Sequence, residues 1–233
     1  MLTVTFLAVY LINLVLLVFL VAFAAPHKYQ SFSFVTHWMS NLGEKGSKSF
    51  WLFNAPLFIW GVLNIIIGII FKSVLLQTFL FSNLTIFFFF SLSGGIILVS
   101  FFPTNKNRVL HGIAGGILFI SITFFCFAMI SNIAVSGWPG SLTALFLAEL
   151  MIIFILSVIL TLSRTRLHLK YGWKNIRNLV EVRKIEKSFF LKNGSVWEWL
   201  VFLFSVIYLF SVSADMFSIH LANVRNALLQ IWP

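Results

Sequence analysis

Apolar residues dominate this chain in six long blocks, which shorter polar stretches separate. A helix needs about 20 apolar residues to cross the hydrocarbon core of a bilayer, and each block has roughly that length. None of the blocks alternates apolar and polar residues with the period of two that is typical of transmembrane barrel strands. The pattern therefore predicts an all-α, polytopic bundle in one domain spanning residues 1–233. The six predicted helices cover about residues 2–24, 51–71, 73–102, 109–135, 142–162 and 196–221.

The first block has some features of a secretory signal peptide, because Ala22, Phe23 and Ala24 resemble a cleavage site. However, no basic residue precedes it, and at about 23 residues it is longer than the usual apolar core of a signal. We therefore expect a retained transmembrane helix.

Three of the predicted connections are short: a turn around Lys72, residues 103–107 and residues 136–141. Short links make consecutive helices antiparallel. Small residues inside the spans indicate close helix contacts. These residues are Gly94 and Gly95 in the third predicted helix, and Gly112 and Gly116 in the fourth.

The basic residues lie almost entirely on one side of the predicted bundle. The net charge is +10, and all 16 Lys and Arg residues except Lys72 and Arg225 fall in the links 25–50, 103–108 and 163–195. By the positive-inside rule these three links face the cytoplasm and both termini lie outside. The charge thus indicates the topology of a multi-pass cell-membrane protein rather than a nucleic-acid partner.

The link 163–195 has a second helical pattern, since Leu169, Trp173, Ile176 and Val180 recur at helical spacing among basic residues. This predicts an amphipathic helix on the cytoplasmic leaflet, between the fifth and sixth spans. Anionic head groups would attract it with about 1 kcal/mol per basic residue. A plain topology anchor and a regulatory lipid site both fit this pattern.

Polar residues that the predicted topology places near the cytoplasmic side form an inner group. A histidine beside a carboxylate can act as a general base or bind an anionic head group when protonated. The candidate catalytic residues are His111, Ser40 and Glu198. The alternative is that these residues are interfacial and wetted by water, which we favour for His37. The candidate ligand-binding residues are His37, Ser40, Asn41, Asn54, Arg108 and His111.

A second set of polar residues, the outer group, lies deeper or toward the opposite side. Polar groups at membrane depth are costly and are therefore functional candidates. Glu149 is the most deeply placed charge, and it is expected either to be protonated or to accept hydrogen bonds from an asparagine. A structural polar bridge and a proton or substrate site are both open for it. The outer group comprises Asn64, Asn83, Glu149, Asp215 and His220.

The sequence lacks the residue patterns that are typical of zinc hydrolases and of disulfide-bonded proteins. The chain has neither a His-x-x-x-His nor a His-Glu-x-x-His pattern, so the helical spacing of a zinc hydrolase is missing. Cys126 is the single cysteine and cannot form an intrachain disulfide. No metal or cofactor is predicted.

Two stretches of the chain form recognisable motifs. The first runs from Ser40-Asn41-Leu42-Gly43 into the aromatic stretch that ends at Asn54, and the second combines Gly95, Phe102-Pro103 and His111-Gly112. Both resemble motifs of the prokaryotic DUF998 family of membrane proteins. Together they span about residues 37–120. The resemblance implies a six-helix membrane protein, more distantly similar to eukaryotic membrane proteins of lipid remodelling and autophagy, and it implies no established activity. The family pattern carries over to Ser40, Gly43, Asn54, Pro103 and His111.

Three functions are compatible with these patterns. The first is binding or remodelling of a lipid at the cytoplasmic leaflet, in a pocket between the second, third and fourth helices; whether the protein is an enzyme is open. The second is a non-catalytic accessory subunit of a larger membrane complex. The third, which we favour least, is a small transporter with Glu149 and Asp215 as a proton relay.

Overall fold

The computed structural model describes residues 2–34, 37–74, 80–137, 142–175 and 194–231. It confirms the all-α class: the described residues contain no strand, and six helices are long and apolar enough to cross a membrane. The chain is therefore a multi-pass membrane protein. The helices are α1 (Leu2–Val18), α2 (Phe50–Val74), α3 (Ser82–Phe101), α4 (Arg108–Ser136), α5 (Thr143–Asn175) and α6 (Gly194–Ile231).

The first span extends beyond α1. It continues through a π-helical stretch, Phe19–Ala24, and a last α-helical turn, Ala25–Lys28. Pro26 occupies the beginning of that turn, where its missing N–H is tolerated. After this span the chain is irregular until a short 3₁₀ helix, Met39–Gly43.

The break between the second and third spans differs from the prediction. Lys72 lies inside α2, and α3 begins only at Ser82, so the connection falls between residues 74 and 82 rather than around Lys72. The apolar sequence continues through this region, and hydropathy alone therefore did not locate the break.

The last two helices are longer than their apolar blocks. α5 continues to Asn175, so Leu169 and Trp173 belong to the same helix as the fifth span, while Ile176 and Val180 lie outside the described residues. α6 begins at Gly194 and ends at Ile231. Polar residues replace apolar ones along these extensions, but they do not by themselves stop a helix.

The six helices pack in a ring in which each helix contacts the one before it and the one after it, and α6 contacts α1. Polar contacts support the antiparallel order, for example Thr123 of α4, which donates to Ser157 of α5 over 2.9 Å. The end where α2, α4 and α6 begin is called the basic end, because Lys28, Lys45 and Lys106 lie there.

Glycines allow the closest helix contacts, although only some of the predicted ones do so. A Cβ on Gly95 would lie 2.9 Å from the backbone of Leu118, so α3 and α4 touch there. Gly94 and Gly116, in contrast, have no neighbour within 4 Å of such a Cβ. Gly61 and Gly68, which the sequence did not single out, also lie at the contact of α2 with α3: a Cβ on Gly61 would lie 3.2 Å from the Ser93 carbonyl oxygen, and one on Gly68 would meet the side chains of Phe89 and Phe90.

Candidate functional site

Side-chain hydrogen bonds hold the 3₁₀ helix Met39–Gly43 at the basic end in place. Asn41 Oδ1 accepts a hydrogen bond from the Trp38 backbone N–H over 2.8 Å, and Asn41 Nδ2 donates to Glu44 Oε1 over 2.7 Å. Tyr29 donates to the other oxygen of Glu44 over 3.3 Å. Asn41 is thus a cap of this segment, and ligand binding is not needed to explain it.

Asn54 of α2 fastens the end of the same segment to the bundle. Its amide donates to the carbonyl of Gly43 over 3.1 Å and to that of Phe50 over 3.0 Å. A Cβ on Gly43 would lie 2.7 Å from both Asn54 Oδ1 and Phe53 Cδ1, so a side chain there would push Asn54 away. Gly43 and Asn54, both members of the family pattern, therefore form a structural clip.

The link between α3 and α4 packs against this segment. Thr104 donates to the Ser40 carbonyl over 3.2 Å. Asn105 accepts from the Lys45 N–H over 3.0 Å and donates to the Lys45 carbonyl over 2.9 Å. Pro103 is buried, and its carbonyl accepts from two following N–H groups, which tightens the link. Together these contacts place Ser40 beside the first turn of α4.

His111 lies in that first turn, where the Phe102 carbonyl fixes its ring. Its Nδ1 is 2.6 Å from the Phe102 oxygen. Because a carbonyl oxygen can only accept, Nδ1 carries the proton in this contact. Arg108 is the first residue of α4, and its side chain lies outside the described part of the structure.

Glu198, in the first turns of α6, completes the inner group. Its Oε2 accepts from the Met39 backbone N–H over 3.1 Å, and the residue is only 7% exposed. The contact joins residues 159 positions apart. The sequence predicted that Ser40, His111 and Glu198 lie at one depth, and the structure brings all three to one cavity.

This cavity lies between the helices, is partly open to the outside, and has a volume of about 80 Å³. Ser40, His111 and Glu198 provide polar atoms at the basic end. Farther along the helices the walls are apolar, with Leu57 of α2, Leu92 and Ile96 of α3, Ile122 of α4, and Leu209 of α6 among the lining residues. The shape is that of a slot with one polar end.

His37 does not line the cavity. Its Nδ1 accepts from the Ser33 N–H over 3.1 Å, and its ring stacks on Phe32 at 5.4 Å and meets Tyr29 at 5.7 Å. The structure thus gives His37 a place in an aromatic cluster. Asn54 and Asn41 are also outside the lining, so three of the candidate ligand-binding residues act as supports.

The residues of the outer group are distributed over α2, α3, α5 and α6. Asn64 accepts a hydrogen bond from Tyr10 and so joins α2 to α1, and both residues are fully buried. Asn83 is exposed in the first turn of α3. Asp215 is buried farther along α6, and the Nε2 of His220 is buried without a hydrogen-bond partner.

Glu149 connects α5 to α6 through a serine, not through an asparagine. Ser211 donates to its Oε1 over 3.1 Å, whereas Oε2 is buried without a hydrogen-bond partner. The hydroxyl of Tyr208, one turn before Ser211, is also buried and unpartnered. The residue therefore bridges two helices outside the cavity lining.

Two polar residues of structural or functional interest were missed by the sequence reading. Asn132 of α4 donates to Thr85 over 2.8 Å and accepts from the Phe81 N–H over 2.9 Å, which fixes the start of α3. Ser205 of α6 lines the cavity, and its hydroxyl is buried without a partner. Seven residues separate Ser205 from Glu198, so helical periodicity places them on one face.

Among the described residues, no group of three or more His, Cys, Asp and Glu side chains is arranged to hold a metal ion. Cys126 is buried and forms no disulfide with a described residue.

Comparison with known proteins identifies a family that matches the chain. No curated protein and no solved structure matches the chain significantly. A family model described as "Protein of unknown function (DUF998)" matches residues 14–176, well over half of the chain. That range includes the Gly43–Asn54 clip, Ser40 and His111, and it ends before α6. The chain therefore belongs to the DUF998 family.

Proposed function

We propose that this protein binds a lipid, or an amphiphile built like one, in the cavity between its helices. The observation that carries the proposal is the one-sided polarity of the cavity. Ser40, His111 and Glu198 supply hydrogen-bonding groups at the basic end, and the rest of the lining is apolar except for Ser205. A polar head with an attached hydrocarbon chain is the kind of molecule that matches such a slot.

The lining and position of the cavity support this. Small-molecule pockets commonly have mostly apolar walls and a few polar groups. The three polar residues lie in the first turns of their elements, at the depth where a bilayer changes from head groups to hydrocarbon. On the topology predicted from the basic links, the ligand would come from the cytoplasmic leaflet.

The proposal is binding rather than hydrolysis. Hydrolysis by Ser40 would need a base hydrogen-bonded to its hydroxyl. Among the described residues the Ser40 hydroxyl has no such partner, and its recorded hydrogen bond is made by the carbonyl. His111 points Nδ1 at the Phe102 carbonyl, and this contact fixes the orientation of its ring at the polar end of the cavity.

Lipid recovery from the purified protein tests this proposal. Protein purified in detergent and washed extensively should retain a defined lipid, which mass spectrometry of the organic extract identifies. Ser205→Phe places an aromatic ring in the cavity and should reduce the retained lipid severalfold. Its control is Leu203→Phe, since Leu203 is 45% exposed on the same helix and outside the lining. Equal retention by both variants, or only bulk lipid in all samples, would contradict cavity binding.

A further inference from the structure

Two buried polar atoms without a hydrogen-bond partner lie at the contact between α5 and α6. Glu149 is 6% exposed and Tyr208 is 2% exposed. Ser211 donates to Glu149 Oε1 over 3.1 Å, but Glu149 Oε2 and the Tyr208 hydroxyl have no partner. Neither residue lines the cavity, so the lipid site proposed above does not explain these two atoms.

The two atoms belong to one region of this helix contact. Tyr208 and Ser211 are three residues apart and therefore share a face of α6. Phe146 and Glu149 share a face of α5 for the same reason. Ser211 binds Glu149, and the ring of Tyr208 meets that of Phe146 edge to face at 6.2 Å. The unpartnered carboxyl oxygen and the unpartnered phenol hydroxyl are thus held between the same two faces.

A carboxylate in this region would have no positive charge beside it. α4 and α6 are the helices packed against α5. α4 carries no Lys, Arg or His after His111, and α6 carries none before His220. α5 itself has none until Arg164, which lies about 22 Å beyond Glu149 along the helix. The titratable side chains that remain near Glu149 are Cys126 of α4 and Tyr208 and Asp215 of α6.

A bound proton removes the cost of this arrangement. An ionised carboxylate away from water needs donors or a cation, and here a single serine serves one of its two oxygens. A neutral acid needs less, because its carbonyl oxygen accepts one hydrogen bond and its O–H donates another. The Tyr208 hydroxyl can accept that bond directly or through one water, since a phenol hydroxyl both accepts and donates.

We propose that Glu149 is a proton-binding site inside the membrane, with the proton on Oε2 directed toward the Tyr208 hydroxyl and Oε1 accepting from Ser211. The site joins α5 to α6 by neutral hydrogen bonds in place of an ion pair. It is independent of the cavity, and it holds whether or not the cavity binds a lipid.

Infrared spectroscopy of the purified full-length protein at neutral pH tests this proposal. A protonated carboxyl group has a C=O stretching band that is distinct from the carboxylate bands and shifts in heavy water. The wild type should show this band, and E149Q should lose it. S211A should keep the band but move it to higher frequency, because the carbonyl oxygen loses its hydrogen bond. Tyr208→Phe should also keep it and move it, because the acid loses its acceptor.

D215N is the matched control, since Asp215 is a buried carboxyl on the adjacent helix. The band that E149Q removes should remain in D215N. An E149Q spectrum with the wild-type C=O band, or one that loses carboxylate absorption instead, would overturn the proposal.

Thermal unfolding in the same detergent provides a second measurement. E149Q should unfold at the wild-type temperature, because the glutamine amide offers a donor and an acceptor as the neutral acid does. A clearly lower unfolding temperature for E149Q, or its failure to fold, would show that the protein needs the ionised form and would also overturn the proposal.

Discussion

At the scale of single residues, the family pattern is explained largely by backbone support. Asn54 satisfies two carbonyls, and Gly43 gives it room. Ser49 adds a hydrogen bond of 2.7 Å to the neighbouring Leu42 carbonyl. The pattern therefore identifies how the segment before α2 is held. The residues that face the cavity are fewer, with Ser40 and His111 among them.

Asn54→Leu should destabilise the protein by about 1–3 kcal/mol, because the carbonyl of the buried Gly43 loses its side-chain donor and the Phe50 carbonyl loses a further one. Chemical or thermal unfolding in detergent measures the effect. Asn83→Leu serves as the control, since Asn83 is exposed and its loss should change stability by less than about 0.5 kcal/mol. Equal effects of the two substitutions would show that the Asn54 clip is unimportant.

The environment of Tyr29 predicts that the stability of the protein falls at alkaline pH. Burial raises the pKa of Tyr29 above its ordinary value, and the neighbouring Glu44 carboxylate raises it further. A pKa that is higher in the folded state stabilises the protein fully below the unfolded value of about 10, and this stabilisation is lost as the pH rises through the folded value. Tyr29→Phe should therefore flatten the fall in unfolding temperature above about pH 10. If the unfolding temperatures of the wild type and the variant fall equally above about pH 10, Tyr29 does not cause the loss of stability.

At the scale of elements, glycine positions distinguish helix surfaces that touch from those that do not. Gly95 and Gly94 are adjacent in α3, but only Gly95 lies against the backbone of α4. Neighbouring residues on a helix point in different directions, so the sequence alone does not identify which of the two is at the contact.

Gly95→Ala should lower stability by about 1–3 kcal/mol, because its Cβ would force Leu118 and α4 to move. Gly94→Ala should be neutral or stabilising by up to about 1 kcal/mol, since alanine favours a helix and nothing lies within 4 Å of the new Cβ. Unfolding of both variants under one condition measures the difference. If Gly94→Ala loses more stability than Gly95→Ala, then Gly94 rather than Gly95 faces α4, and α3 is rotated about its axis.

Hydropathy predicted the number of helices and most of their bounds, because a bilayer imposes a length on every span. It did not predict the continuation of α5 to Asn175, since a helix outside the bilayer needs no apolar block. For the candidate site, depth alone grouped Ser40, His111 and Glu198. Depth did not distinguish these cavity-lining residues from His37 and Asn41. The side chains of His37 and Asn41 instead form hydrogen bonds with backbone groups three or four positions away in the chain. Ser205 was missed because one serine in an apolar helix gives no signal of what it faces.

At the scale of the whole molecule, the ring of antiparallel helices brings α6 back to α1 and puts both ends of the chain on the side opposite the basic end. The charge distribution predicts that the basic end faces the cytoplasm.

Cysteine labelling measures that orientation. Lys106 and Arg225 are exposed at opposite ends, and the native Cys126 is 1% exposed, so the wild type should remain unlabelled by a membrane-impermeant thiol reagent. In intact cells R225C should be labelled and K106C protected, and K106C should react once the cells are opened. Labelling of both variants from the same side would contradict the six-span topology, and the reverse pattern would invert the orientation.

The cavity is assembled from two parts of the chain, one inside and one outside the stretch that the family model matches. Ser40, His111 and the Gly43–Asn54 clip lie within the stretch that the DUF998 model matches, whereas Glu198 and Ser205 come from α6, beyond residue 176. A protein that matches the family model over that stretch is therefore not required to carry Glu198 or Ser205. The residues that relatives have at these two positions would tell whether the cavity belongs to the whole family or only to part of it.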